Sequence, residues 1–479
     1  MAAMGPSISM AERQAAAAAI VHRLRAAGYA AYFAGGCVRD LLLGRIPADF
    51  DVATSATPDI VLGMFPRTFA VGAHFGVVLV ADACEAGEII TEVATFRSDG
   101  AYSDGRRPES VRYTQLPEED VQRRDFTING MLLDPDLLDP DLLDPGRPDA
   151  ERLGVGRPDA GRALKSAVLD FVGGMEDLRS GTIRAIGDPM LRFAEDKLRL
   201  LRGVRFAARL GYAIDGATFA AMRAMAAQVH PVGQERVREE LTRMLTEGAA
   251  RRAFELLDET GLLHEVLPEV VRLQGVEQPP QFHPEGDVWM HTLLLLEKLP
   301  AGCPPTLAWG ALLHDIGKPA TFRRAPDRIR FDGHVEVGVC MAEEIATRLR
   351  MSNEDKAQIA ALVANHMRFG EVEKMRPSTL KRFLRLDRFG EHLELHRLDC
   401  LASHGGLQLY EFTKKHFETT PAEEVRPQPL ITGRDLIAAG HTPGPEFRRL
   451  LLLVEDAQLD GRIHTREEAL ALVASALHP

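Results

Sequence analysis

The chain is 479 residues long, with 45% hydrophobic and 26% charged residues, which is the balance of a globular protein too long for one compact core. A formal net charge of −12 argues against a chromatin-like polyanion binder and leaves any nucleic-acid contact to local basic patches. The five cysteines are odd in number, scattered, and form no CxxC, which argues against a disulfide framework or zinc ribbon and for a reducing compartment.

In chain order, Met10–Gly28 reads as an amphipathic helix. Its Ala run, Met10–Ile20, has neither a basic leader nor a cleavage site, and no apolar run reaches membrane-spanning length, so a cytoplasmic protein with no membrane partner is expected. Strand-like runs follow at Ala31–Ala34, Asp49–Thr54, Val77–Ala81, Ile89–Ala94, Thr127–Leu133 and Val168–Phe171. Between the last two, residues 134–162 contain the near-repeat DPDLLDPDLLDPG and two copies of GRPDA. Proline at that density opposes helix and ladder alike, so the stretch is expected to be a disordered insertion whose flanks lie close together. From Pro189 the pattern turns helical, over Phe193–Leu210, Gly216–Gln228, Val237–Glu247 and Ala250–Glu259. A Pro-rich break at Gln278–Pro284 precedes a second helical block reaching about Gly405, and a last helical unit fills Ile431–Leu477.

Chemistry concentrates first at Gly35-Gly36-Cys37-Val38-Arg39-Asp40, between a strand and a helix. Paired glycines let backbone approach phosphate oxygens, and a helix N-terminus offers unpaired N–H groups. Asp49-Phe50-Asp51 follows in a predicted strand, where residues two apart share a face. Adjacent carboxylates repel unless a cation lies between them, and Mg²⁺ favours such hard ligands together with substrate phosphates.

The run GGCVRDLLLGRIPADFDVAT resembles the signature of the class II tRNA nucleotidyltransferase and poly(A) polymerase family, within the polymerase-β-like superfamily. The resemblance implies that Asp49 and Asp51 hold catalytic metals and that Gly35, Gly36 and Arg39 hold the triphosphate. The superfamily usually adds a third carboxylate from a neighbouring strand; Glu92 in EIITEVATFR is the candidate. Arg123-Arg124-Asp125-Phe126-Thr127-Ile128-Asn129 resembles the second family motif, whose arginine (Arg124), aspartate (Asp125) and asparagine (Asn129) contact nucleotide sugar and phosphates; Gly130 stands where the family usually has Ala.

In Glu195-Asp196-Lys197-Leu198-Arg199, the Asp196–Arg199 spacing places both on one face of a predicted helix, as an ion pair would require. In the resembling family this element is a protein template for the incoming base. An acceptor and a donor matched to the exocyclic amine and ring acceptor of C and A would exclude U and G, with Arg202 and Arg205 adding contacts along the same stretch. TFRSDGAYSDGRRPESVRYT resembles the flexible loop kept in full CCA-adding enzymes, through Arg97, Asp99, Arg106, Arg107 and Pro108.

A second constellation comprises His291, His314-Asp315-Ile316-Gly317-Lys318, His334, His366 and Asp399. Imidazole and carboxylate ligands from several helices can converge on a metal. The string resembles the HD phosphohydrolase superfamily, which implies His291, His314, Asp315 and Asp399 as ligands of a divalent transition metal. His334 and His366 are candidates for a second metal, and Lys318 for neutralising phosphate. Downstream, Arg368, Lys374, Arg376, Lys381, Arg382, Arg385 and Arg388 form a basic stretch; Arg368, Lys381, Arg382 and Arg385 are the candidate RNA contacts.

The expected architecture is α+β: a polymerase-β-like mixed-sheet head (11–187), an all-α neck and body with the base template (188–280), an HD-type helical domain (281–410) and a helical tail (411–479). The expected function is Mg²⁺-dependent CCA addition to tRNA 3′ ends from CTP and ATP, with an HD phosphohydrolase activity beside it. The alternatives are poly(A)-, A-only or CC-only addition, and an HD phosphohydrolase with an RNA-binding head. Oligomeric state is left open.

Overall fold

A computed structural model describes residues 8–70, 76–84, 87–99, 111–138, 164–279, 286–326 and 328–477. The chain folds as two compact units, Met1–Glu240 with Leu256–Val266, and Leu241–Glu255 with Leu267–Pro479.

The first unit begins with helix α1, Met10–Ala26. Ser9 starts it with a capping box: its side chain accepts from Glu12 N, and the Glu12 carboxylate accepts from Ser9 N at 2.8 Å. Such caps are worth about 1 kcal/mol. The strands are β1 (Ala31–Ala34), β2 (Asp51–Thr54), β3 (Thr68–Phe69), β4 (Val77–Cys84), β5 (Gly87–Thr95), β6 (Arg97–Asp99), β7 (Val111–Tyr113), β8 (Leu132–Leu133) and β9 (Val168–Leu169). Seven form one mixed sheet in the order β3-β4-β5-β2-β1-β8-β9, with β2 and β5 parallel and the other pairs antiparallel. Ala34, Ala53, Phe96, Val121 and Leu132 bury one cluster of its core.

Two strand expectations change. The second strand starts at Asp51, so Asp49 and Phe50 precede it. Thr127–Leu133 is not one strand: Thr127–Asn129 is a 3-10 turn, and only Leu132–Leu133 pairs. That turn is fixed by Thr127 Oγ1 donating to Asp177 at 2.7 Å, a long-range bond that local pattern does not encode. The segment 97–113 begins and ends as a hairpin, β6 against β7; Arg106, Arg107 and Pro108 lie outside the described residues. The insertion is held at its start, where Arg25 binds Asp134 at 2.7 Å and Asp136 at 2.6 Å; residues 139–163 lie outside the described residues. Its flanks do meet, Leu132 facing Leu169 and Leu133 facing Val168.

Helices follow at Pro189–Glu195, Leu198–Leu210 and Gly216–Met225. The second unit is helical apart from a two-stranded ribbon, Arg323–Arg324 with Ile329–Arg330, among the described residues. Its helices Val288–Glu297, Pro305–Leu313, His334–Arg348, Asn353–Asn365 and Phe389–Ala402 carry the His and Asp residues singled out above or flank them. Trp309 is buried among them and donates from Nε1 to Thr242 Oγ1 at 3.0 Å. A terminal set, Gly433–Ala438, Pro445–Leu459 and Arg466–Leu477, closes around its own core of Ile431, Leu436, Leu450, Val454, Ile463 and Val473. No helix among the described residues is long and apolar enough to cross a membrane, and Cys37, Cys303, Cys340 and Cys400 are free thiols.

Candidate functional site

In the first unit, β1 runs out through Gly35 into helix α2, Gly36–Leu42. Gly35 has φ +75° and ψ −135°, a region essentially confined to glycine, which accounts for the residue at this junction. The register Ala34 with Asp51 sets this turn against the end of β2. A Cβ on Gly35 would lie 3.7 Å from Asp51 Oδ2 and 3.9 Å from Arg124 Nη1. The parallel register of Val52 with Val93 puts Glu92 level with Asp51 on the adjacent strand. Asp49 and Glu92 are exposed, Asp51 half-buried and the intervening Phe50 buried, so the acids share the open side.

Charge confirms the crowding. Partial burial, then Asp49, then Glu92 push Asp51 up to about 7, with Arg124 pulling the other way. Desolvation by the atoms around its carboxyl, and Asp49 beside it, raise Glu92 as well. Carboxylates so arranged suit a hard divalent cation, which would relieve their repulsion.

The expected nucleotide residues form a connected network. Arg39 is buried and donates to Asn129 Oδ1 at 2.6 Å and Asp40 Oδ1 at 2.9 Å, so it ties α2 to the second motif. Arg124 is held by Asp120 (Nη2–Oδ2 2.9 Å), which also takes Arg123 Nη2 at 2.6 Å. Asp125 accepts from Phe126 N at 2.8 Å, Asn129 Nδ2 at 3.3 Å and Arg202 Nε at 2.7 Å. Burial opposes its ionisation, but Arg202 and Arg199 hold its carboxyl below the usual range. Arg205 donates to the buried Glu240 at 2.6 Å and lies over the Phe206 ring, so both its charge and its stacking face are engaged inside the unit.

The base-template segment departs from expectation. Phe193–Leu210 is not one helix; it breaks at Asp196, which has φ −139° and ψ 107°. Asp196 and Arg199 therefore do not share a helical face. Asp196 takes Leu198 N at 3.0 Å, starting the next helix, and Arg236 Nη2 at 3.0 Å. Arg199 instead pairs with Glu195 at 2.6 Å and donates to Arg123 O at 2.8 Å, which joins the segment to the second motif. Arg236, Asp120 and Glu240 were missed from the sequence: each is a charge whose partner is distant in sequence or looks like an ordinary surface residue.

In the second unit, the histidines and aspartates converge. One group of ligand atoms, from His291, His314 and Asp399, lies mutually within 4.8 Å, and a second, from Asp315, His334 and His366, does likewise. Among the described residues no comparably tight group of three forms from Asp49, Asp51 and Glu92. His291 Nε2 is 3.2 Å from Asp399 Oδ1 and 3.3 Å from His314 Nε2, and His314 Nε2 is 3.1 Å from Asp315 Oδ2. His314, His334 and His366 each set Nδ1 against a backbone carbonyl, of Ala311 (2.9 Å), Phe331 (2.9 Å) and Val363 (2.7 Å), which turns Nε2 inward. Nε2 of His334 and of His366 is buried with no hydrogen-bond partner among the described residues. Burial pushes His366 down to about 4, which leaves a neutral imidazole at physiological pH. Burial opposes the charge on Asp315 and Asp399, yet Lys318 and His314 hold the first well below the carboxylate range and His291 does so for the second. Inward-facing imidazole nitrogens, that of His366 held neutral by burial, beside ionised carboxylates form a donor set that fits divalent transition metals.

Gly317 lets the motif close on its neighbour. A Cβ there would lie 2.1 Å from His334 O and 2.7 Å from Gly338 N, so only glycine allows this approach.

The basic stretch is largely committed within the chain. Arg382 pairs with Glu455 at 2.7 Å and with Asp456, Arg385 with Glu455 at 2.6 Å, and Lys381 donates to Leu459 O at 3.2 Å. Arg368 lies over Phe383, 4.6 Å from the centroid, and donates to Asn365 at 2.9 Å. Within the chain, Lys381, Arg382 and Arg385 tie this stretch to the Pro445–Leu459 helix, and Arg368 covers the Phe383 ring.

Comparison with known proteins places these features. The family model for the poly(A) polymerase head domain matches residues 31–150, that for the probable RNA- and SrmB-binding site of polymerase A matches 211–273, and that for the HD domain matches 287–390. A CCA-adding enzyme of Geobacillus stearothermophilus is 39% identical over 243 residues, 51% of this chain and 52% of that protein. One from Bacillus pumilus (strain SAFR-032) is 34% identical over 301 residues, 62% of each. The chain thus spans about half the length of the first of these curated relatives. The crystal structure of the Bacillus stearothermophilus CCA-adding enzyme in complex with CTP shares the fold at TM-score 0.67, with 24% identity and 98% of both chains covered. The head, the polymerase-A segment and the HD domain are thus matched in that order along the chain, which is similar in sequence to CCA-adding enzymes over about half its length.

Proposed function

We propose that this protein is a cytoplasmic tRNA nucleotidyltransferase that completes tRNA 3′ ends with CCA from CTP and ATP. The observation that carries it is Asp51 beside the Gly35 turn and Arg124, with Asp49 and Glu92 near enough to act on its carboxyl. These acids would hold Mg²⁺. Two such ions supply Lewis acidity to an attacking hydroxyl and a leaving pyrophosphate. The chain's own residues orient the reactants: the Gly35-Gly36 backbone approaches the triphosphate, Arg124 and Asn129 take phosphate and sugar, and the 195–199 segment reads the base. Solved CCA-adding enzymes of the same fold, complexed with CTP, ATP and tRNA, support this substrate set. The four-part division at 187, 280 and 410 remains our reading of domain roles.

Purified protein with tRNA lacking its terminus and one labelled nucleotide at a time tests it. The expected result is label from CTP, and from ATP once CC is present. Label from ATP alone would make it an A-adding enzyme, and label from CTP alone a CC-adding one.

The two His–Asp ligand groups favour a second activity, a metal-dependent phosphohydrolase. The substrate class proposed is a damaged RNA end bearing a 2′,3′-cyclic or 3′-phosphate. Hydrolysis of such ends that survives Asp49→Ala and disappears in Asp315→Ala would support it; no hydrolysis by the wild type with any of Mg²⁺, Mn²⁺, Co²⁺ or Ni²⁺ would remove it.

A further inference from the structure

Beside the His–Asp centre lies Gln278, a buried side chain outside the His314–Lys318 motif. Lys318 Nζ donates to Asp315 Oδ2 at 2.7 Å and to Gln278 Oε1 at 2.7 Å. A lysine can only donate, so the Gln278 oxygen must face it and the amide nitrogen must take the other position. That Nε2 is buried and has no acceptor among the described residues, although Gln278 is only 4% exposed.

Gln278 is held firmly. Val288 N donates to Val276 O at 3.0 Å, and Gly275 N to Asp287 Oδ2 at 2.6 Å. Asp287 also caps the Val288–Glu297 helix, which carries His291. Glu277 pairs with Arg324 on the Arg323–Arg330 ribbon. One helix start therefore sets both a metal-ligand candidate and the glutamine.

We propose that Gln278 extends the phosphate-neutralising role expected of Lys318 into a phosphate-oxygen subsite beside the His–Asp centre, its Nε2 donating to a non-bridging oxygen of a bound phosphate. The inference rests on reading that centre as a phosphohydrolase. A buried N–H₂ donor next to an ammonium complements an acceptor-only anion. Gln278 is neutral, so it adds a directed donor without adding charge.

The test uses the full chain loaded with Co²⁺, whose d–d absorption reports ligation, and inorganic phosphate as the probe, titrated calorimetrically. Gln278→Leu and Gln278→Glu are expected to keep the Co²⁺ spectrum, stoichiometry and far-ultraviolet circular dichroism. Phosphate binding should weaken roughly tenfold or more in Gln278→Leu, as for loss of a buried hydrogen bond to a charged group, and further in Gln278→Glu. Unchanged phosphate affinity in Gln278→Leu would overturn the proposal and leave the phosphohydrolase reading standing. Loss of Co²⁺ in that variant would make Gln278 a structural support instead. If the Co²⁺-loaded wild type binds no phosphate, the phosphohydrolase reading itself fails.

Discussion

Asp51 sits between two carboxylates, and its carboxyl is pushed up from an ordinary 3.8 to about 7. An acid raised on folding keeps its proton in the native state between those values while the unfolded chain has released its own. Native stability therefore falls as pH climbs from about 4 to about 7 and stays low above it. Two outcomes are expected in thermal melts. Without divalent metal at pH 8, Asp51→Asn should raise the melting temperature by about 2–4 °C for each kcal/mol of repulsion removed, with a smaller effect at pH 5. Added Mg²⁺ should stabilise the wild type more at pH 8 than at pH 6. An Asp51→Asn protein that melts lower than wild type at pH 8 would show that the carboxylate is not strained. In the second unit, His314 binds at the centre of the ligand set, so His314→Ala should abolish tight Co²⁺ binding by absorption titration while single-nucleotide incorporation persists.

At the scale of elements, the junction at Asp196 is the informative one. The residues around it favour helix, and the one local mark of a break is Asp196 itself, a residue type favoured at helix starts. It exists because Asp196 starts the next helix and binds Arg236, forty positions on. Under the proposed function, in which the 195–199 segment reads the base, Arg236 is a positioning residue for the Asp196 carboxylate. Arg236→Ala should leave CTP incorporation measurable and raise misincorporation of UTP relative to CTP by roughly tenfold, the scale of one misplaced buried hydrogen bond. Competition assays with paired nucleotides would read this directly, and unchanged discrimination would deny Arg236 the role. The basic stretch makes a complementary case. Its charges were legible, but the acids that take them up, Glu455 and Asp456, lie about seventy residues away on a helix whose packing no local pattern gives. These pairs are partly exposed, so Arg382→Glu should cost only about 0.5–1 kcal/mol in denaturant melts. Adding Glu455→Arg should recover part of that loss. An Arg382→Glu protein of unchanged stability with markedly weaker tRNA binding would return the residue to the RNA surface.

For the molecule as a whole, sequence made visible those sites whose residues lie within short runs. Gly35-Gly36, Asp49–Asp51 and His314–Asp315 were found because each packs a costly combination into few positions. The strands framing them were legible by alternation, though Thr127–Asn129 was not, since Asp177 fixes it from afar. Gln278 was read only as part of a Pro-rich break; its role emerges when Lys318 and Asp315 are brought beside it.

The pairing of β8 with β9 carries a last consequence. Both ends of the Pro-rich insertion leave from adjacent rungs at the edge of the sheet, and Arg25 clamps the departing strand through Asp134. Loop closure grows only with the logarithm of loop length, about 0.6 kcal/mol per doubling. Evolution can therefore lengthen, shorten or replace this segment almost without penalty, and an engineer can do the same: it is a natural splice point for a reporter domain or affinity handle.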